Sequence, residues 1–161
     1  MKAVWLGVDL GDARVGLALS DPELTLAHPA GNIEAWGDSF HAIDEVIDVI
    51  EDEHVTHVVV GLPLQLDGTE GKSAKKARRW AANLTKRMES AAQDDTERRF
   101  VDTQVPAVSL QDERLTTVSA HRQLADAGMS SRRHRPRVDQ QSAVNILQSA
   151  LDRRMRGVMP L

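Results

Sequence analysis

The chain contains no cysteine and no tyrosine, and its aromatic side chains are limited to three tryptophans and two phenylalanines among 161 residues. Without cysteine there is no disulfide framework, no thiolate metal site and no thiol nucleophile. So few aromatic faces argue against a domain that reads unpaired bases by stacking. Any contact with nucleic acid should therefore run through phosphates and depend on salt. No apolar run approaches the roughly 18 residues of a membrane span. The start, MKAVWLGVDL, carries one basic residue, Lys2, and passes into a strand pattern without a cleavage region, so no secretory leader is expected. Together these absences predict a cytoplasmic protein with no membrane partner.

What is present fits one globular unit. At 161 residues the chain can bury roughly 70% of its unfolded surface, and a single domain is expected over 1–157 with a short tail at 158–161. The net charge of −4 is less telling than its distribution. Between Glu34 and Glu53 there are eight acids and no Lys or Arg, whereas Lys72 to Arg87 holds seven basic residues and no acid. A second basic run, RRHRPR, spans 132–137. These runs are either solvated faces or the borders of a polyanion site.

Apolar spacing predicts strands at about 3–10 and 15–21 joined as a hairpin, and a third, shorter strand in HPAGNI. A helix follows from Ser39 to about Glu53, then a β-branched strand over 55–63 and a basic helix from Ser73 to about Ala92. A strand over 105–113, a helix from Thr116 to Gly128, an Arg-rich loop and a last helix from about Asp139 to Arg156 complete the order. An antiparallel start followed by alternating helices and strands predicts a three-layer α/β domain with a mixed sheet.

Asp9 interrupts the first strand between Gly7 and Gly11. A carboxylate at a core position costs several kcal/mol (about 3–5) if nothing compensates it, so it should have a partner. Alternation puts it on a side of small residues, matched by Gly16, Ala18 and Ser20 on the second strand and by Ser109, Gln111 and Glu113 on the later one. On the last helix, Asp139, Ala143, Leu147 and Ala150 form one stripe. Three acids from separate elements would suit Mg²⁺ or Mn²⁺, which prefer oxygen ligands and leave positions for water and phosphate. Each acid also has a plainer reading: Asp9 as a turn residue, Glu113 as a surface ion pair, Asp139 as an N-cap. A one-residue bulge would exchange Asp112 for Glu113. GTEGKS (68–73) imitates a P-loop but has Leu66 where that motif needs glycine, and HVTH (54–57) lacks the partners of a zinc site.

Four segments in order, GVDLGDARVGLALSD, VVVGLPLQLDGTEG, DERLTT and VDQQSAVNILQSAL, closely resemble the YqgF (RuvX) family of pre-16S ribosomal RNA nucleases. The resemblance covers nearly the whole chain. It implies a ribonuclease H-like fold with a five-stranded mixed sheet flanked by helices, similar to Holliday junction resolvases. It also implies a metal-dependent nuclease that matures the 5′ end of 16S rRNA, with the family's acids at Asp9, Glu113 and Asp139. Junction resolvases carry a further acid three residues along the last helix, where this chain has Ser142. Expected phosphate contacts are Arg14, Lys72, Arg114, Arg132, Arg133, Arg135 and Arg137. The expected partner is RNA, as pre-16S rRNA or a pre-ribosomal particle, with structured DNA as the alternative and either a monomer or a homodimer as the working form. A non-catalytic RNA- or ribosome-associated factor ranks second, and an actin-like ATPase is remote because the chain has no length for a second lobe.

Overall fold

The computed structural model describes residues 3–100, 103–114 and 135–157, the stretch 135–140 through its backbone alone. Strand β1 (Trp5–Asp9) is buried along its whole length, because it is the middle strand of a five-stranded sheet. It pairs antiparallel with β2 (Arg14–Ser20), Asp9 standing opposite Gly16, and parallel with β4 (His57–Leu62). Strand β3 (Ala27–Glu34) forms one edge beside β2, and β5 (Ala107–Asp112) the other beside β4, giving the order β3-β2-β1-β4-β5. The expected hairpin and mixed sheet are therefore present. β3 is longer than expected, at eight residues. Its side chains are mostly half-buried or exposed, so it lacks the apolar alternation by which strands are read, and Pro29 is tolerated because the strand is an edge.

The two faces of the sheet bury different helices. Leu6, Val8, Val15, Leu17, Val58 and Val60 pack against α1 (Ile43–Asp52) and α2 (Lys72–Gln93), which contribute Val46, Ile47, Ile50, Trp80, Leu84 and Met88. A 3₁₀ turn (Ser39–Ala42) leads into α1, and the buried Trp80 indole donates to the Ser39 carbonyl at 2.9 Å. Trp5, Ala18 and Val59 on the other face meet Ala143, Ile146, Leu147, Ala150 and Leu151 of α3 (Arg135–Met155). Gly7 permits this contact, since a Cβ there would stand 2.7 Å from Leu147 Cβ and 2.9 Å from the Ala143 carbonyl oxygen. Three layers result: helices, sheet, helix.

Two expectations need correction. The last helix begins at Arg135, four residues before Asp139, so Asp139 is not its N-cap and Arg135 and Arg137 belong to a helix rather than a loop. Pro136 sits in that first turn, where its fixed φ suits a helix and its missing N–H has no partner to lose. The helix expected over 115–128, with Arg132 and Arg133, lies outside the described residues.

Candidate active site

The carboxyl ends of β1 and β4 and the end of β5 open on a pocket of about 180 Å³, the usual place for a ligand in an open α/β sheet. Its lining combines Asp9 and the following turn to Asp12, Gly61 and Pro63, Ser73, Lys76 and Ala77 from α2, and Glu113. Asp9 and Glu113 are 6% and 3% exposed. Over one hundred residues apart in sequence, they reach the same pocket because β4 lies between their strands and all three run parallel.

Gly61 explains how Glu113 fits. The Glu113 amide donates to the Leu62 carbonyl at 3.2 Å, extending the β4–β5 ladder one residue past β5. Its side chain then lies across Gly61: a Cβ there would overlap Glu113 Oε1 and stand 2.6 Å from Ile146 Cδ1. Only a residue without a side chain leaves space for the carboxylate. Asp112 does not line the pocket. The β4–β5 register is regular up to Asp112, with no bulge to exchange it for Glu113. Its carboxylate is held by the Arg114 guanidinium through contacts of 2.9 and 2.7 Å. Burial pushes the Asp112 pKa up, but the hydrogen bonds and charge of Arg114 outweigh it and leave it below the ordinary carboxylate value.

Asp139 is on α3, the helix packed on the same face of the sheet as Asp9, one turn before Ala143; its side chain is outside the described residues. Among the described residues no cluster of three or more metal-ligating side chains occurs. Asp9 and Glu113 nevertheless form a hard oxygen donor pair in a pocket with a space cleared for one of them, which suits Mg²⁺ or Mn²⁺. The donor set fits such an ion.

The expected phosphate contacts divide. Lys72 is exposed at the first position of α2 and does not line the pocket; Lys76, one turn on, does, and bonds Asp12 at 2.8 Å. Arg14 starts β2 opposite Glu34, away from the lining, and Arg114 is engaged by Asp112. Arg135 and Arg137 open α3. Sequence reading missed Lys76, Ser73 and Gly61. For Gly61 a signal existed, a glycine ending a run of three valines. α2 also places Lys72, Lys75 and Lys76 in its first turns without a side-chain cap, against the preference of its positive dipole end. An anion bound at that end would resolve the conflict.

The family model of RuvX, described as Holliday junction resolvase, matches residues 3–153. A protein of Bifidobacterium longum subsp. infantis named "Putative pre-16S rRNA nuclease" is 73% identical over 93% of this chain and 97% of its own length. One of the same name from Rhodococcus jostii is 40% identical over 95% of this chain and 79% of its own. Among solved structures, RuvC of T. thermophilus in complex with a Holliday junction substrate superposes with a TM-score of 0.53 at 18% identity, over 99% of both chains. That likeness identifies the architecture as a ribonuclease H-like fold.

Proposed function

Because the chain belongs to the RuvX family, whose members are phosphodiester hydrolases, we propose that it is a metal-dependent endonuclease that cuts structured RNA in the cytoplasm. The proposed substrate is the 5′ region of pre-16S rRNA, free or in a pre-ribosomal particle. The observation that carries this reading is the pair of buried carboxylates, Asp9 and Glu113, brought to one pocket from separate strands with Gly61 cleared beneath one of them.

In this reading Asp9, Glu113 and Asp139 hold Mg²⁺ or Mn²⁺. The ion, when bound, supplies activation of a water and stabilisation of charge on the leaving oxygen. The protein supplies position. Lys76 and the amino end of α2 draw the phosphate towards the pocket mouth, and the basic residues of α2 neutralise the neighbouring backbone. Arg132, Arg133, Arg135 and Arg137 are further proposed phosphate contacts. A 5′-phosphate product is expected.

The test is cleavage of a structured RNA carrying the 5′ precursor junction of 16S rRNA in Mn²⁺. Asp9→Asn and Glu113→Gln should each slow cleavage by about 100-fold or more, since even outer partners of metal ligands are worth 10–100-fold. Both should keep their thermal stability in metal-free buffer. Wild-type cleavage by Asp9→Asn would sink the assignment. A four-way DNA junction, offered in competition, tests the second reading. That reading is supported by the RuvC likeness of the fold and opposed by Ser142, which is buried where a junction resolvase has its further acid.

A further inference from the structure

We propose that Arg114 is a positioning residue for Glu113: it closes a clip with Asp112 that fixes the chain at the carboxylate proposed to hold the ion, an inference that rests on the nuclease reading. Glu113 stands where a sheet opens most readily. β5 is an edge strand, paired with β4 alone, and it ends at Asp112. Glu113, the next residue, is tied to β4 through its amide and the Leu62 carbonyl at 3.2 Å. A metal ligand at the loose end of an edge strand needs its backbone held.

The residues on either side of Glu113 are bonded to each other across it. The Arg114 amide donates to the Asp112 carboxylate at 2.9 Å, an Asx turn with Glu113 at its centre, which restrains the backbone of both acids together. The Arg114 side chain then returns to the same carboxylate, with Nε at 2.9 Å and Nη2 at 2.7 Å from Oδ2, and Nε at 3.2 Å from Oδ1. A planar fork bound through two nitrogens has little rotational freedom. The remaining nitrogen, Nη1, lies against the connection between β4 and α2. There Gly68 has φ 90, and a Cβ on it would stand 3.0 Å from Nη1, so a bare backbone is what allows the approach. That loop is closed on itself: the Gln65 amide donates to the Thr69 carbonyl at 2.9 Å, and the Gly68 amide to the Gln65 carbonyl at 2.8 Å. Arg114 is thus clamped between Asp112 and Gly68. Alternation along the chain leaves Glu113 pointing the other way, across Gly61 into the pocket. With two guanidinium nitrogens engaged by Asp112, Arg114 acts through Glu113 rather than on a phosphate of the substrate.

The test compares Arg114→Lys, which keeps the charge but not the fork, with Asp112→Asn and with the double variant. Hydrogen exchange at the Glu113 amide of metal-free protein reads the clip itself. It should quicken about tenfold in each single variant and little more in the double, because the two residues form one unit. Exchange in β1 should not change, which separates local opening from unfolding. Mn²⁺ affinity without RNA, read from the spin resonance of free Mn²⁺, should fall about tenfold in the same non-additive pattern. The KM for RNA at saturating Mn²⁺ should stay at the wild-type value. Wild-type Mn²⁺ affinity in both single variants overturns the proposal, and so does unaltered exchange at Glu113 or an additive loss in the double variant. A KM raised in Arg114→Gln and lowered in Asp112→Asn overturns it too, by making Arg114 a phosphate contact. If the wild type neither binds Mn²⁺ nor cleaves RNA, yet the variants open at Glu113, the clip stands and the nuclease reading falls. If the wild type does both and the variants match it, the reverse holds.

Discussion

At the scale of single residues the proposed chemistry rests on two carboxylates and one glycine. Asp9 and Glu113 could occupy their buried positions only with compensation for lost hydration, and a shared divalent cation would supply it. Gly61 makes the pair possible, since any side chain there enters the volume of the Glu113 carboxylate. We therefore expect Gly61→Ala to act twice. Crowding against Glu113 and Ile146 should cost about 1–3 kcal/mol of stability, as overpacking generally does. Displacing the carboxylate should also slow cleavage by about 100-fold, the effect of a misplacement on the order of 1 Å. Denaturant melts and single-turnover cleavage separate the two. Normal cleavage with reduced stability would show that Glu113 can be moved without consequence. Asp112 is adjacent to Glu113 and just as acidic, yet its bonds to Arg114 commit it to the opposite side of the strand.

Elements differ in how they are held. The α3 helix packs on β1 through small residues and also reaches the edge of the sheet, where Gln148 accepts from the Ala27 amide and donates to the Thr25 carbonyl, both at 2.9 Å. The β2–β3 connection, which feeds that edge, is organised by Asp21. Its carboxylate accepts from the Thr25 hydroxyl and from the amides of Thr25 and Leu26. The Thr25 hydroxyl first, then the Leu26 amide, lower its pKa from 3.8 to about 2. A depressed folded pKa stabilises the native state above the unfolded value of 3.8, and that contribution is lost as pH falls through about 2. In Thr25→Val the Asp21 pKa should rise towards 3.8, and stability should become less sensitive to pH across that window. Carboxyl NMR titration and urea melts at acid pH give the answer. An unmoved Asp21 pKa would assign the shift to the backbone amides alone.

For the molecule as a whole, net charge misleads. A chain of charge −4 would be a poor polyanion binder if its charges were mixed. Instead acids gather on α1 and bases on α2, and Arg87 and Arg99 tie off part of that acidity through Asp44, Asp48 and Glu51. RNA binding should therefore weaken steeply with salt. Replacing the exposed Lys72 and Arg79 by alanine should reduce the slope of log K against log salt by about 0.7 for each, the single-strand value per phosphate contact. A slope unchanged by the double substitution would remove α2 from the binding surface. The two alanines also leave Asp9 and Glu113 untouched, so cleavage at saturating RNA should persist.

Much of this architecture was legible in one dimension. Alternation in Trp5–Asp9 and Ala107–Asp112 places Asp9 and Glu113 on one face, and the spacing of Ala143, Leu147 and Ala150 gives the buried stripe of the last helix. These are local periodicities, and burial enforces them because a one-residue slip would turn a whole apolar set to water. The full length of β3 was not legible, since an edge strand is held by backbone pairing and by Gln148 from far along the chain. Nor was the start of α3, where Pro136 begins a turn that composition reads as loop. The order of the described elements, the acids and the basic runs could be read along the chain, because each depends on neighbours within a few residues. That Gly61 is the seat of Glu113, and that Lys76 rather than Lys72 borders the pocket, came only from the fold. Those facts depend on distances between segments that the chain brings together only by folding.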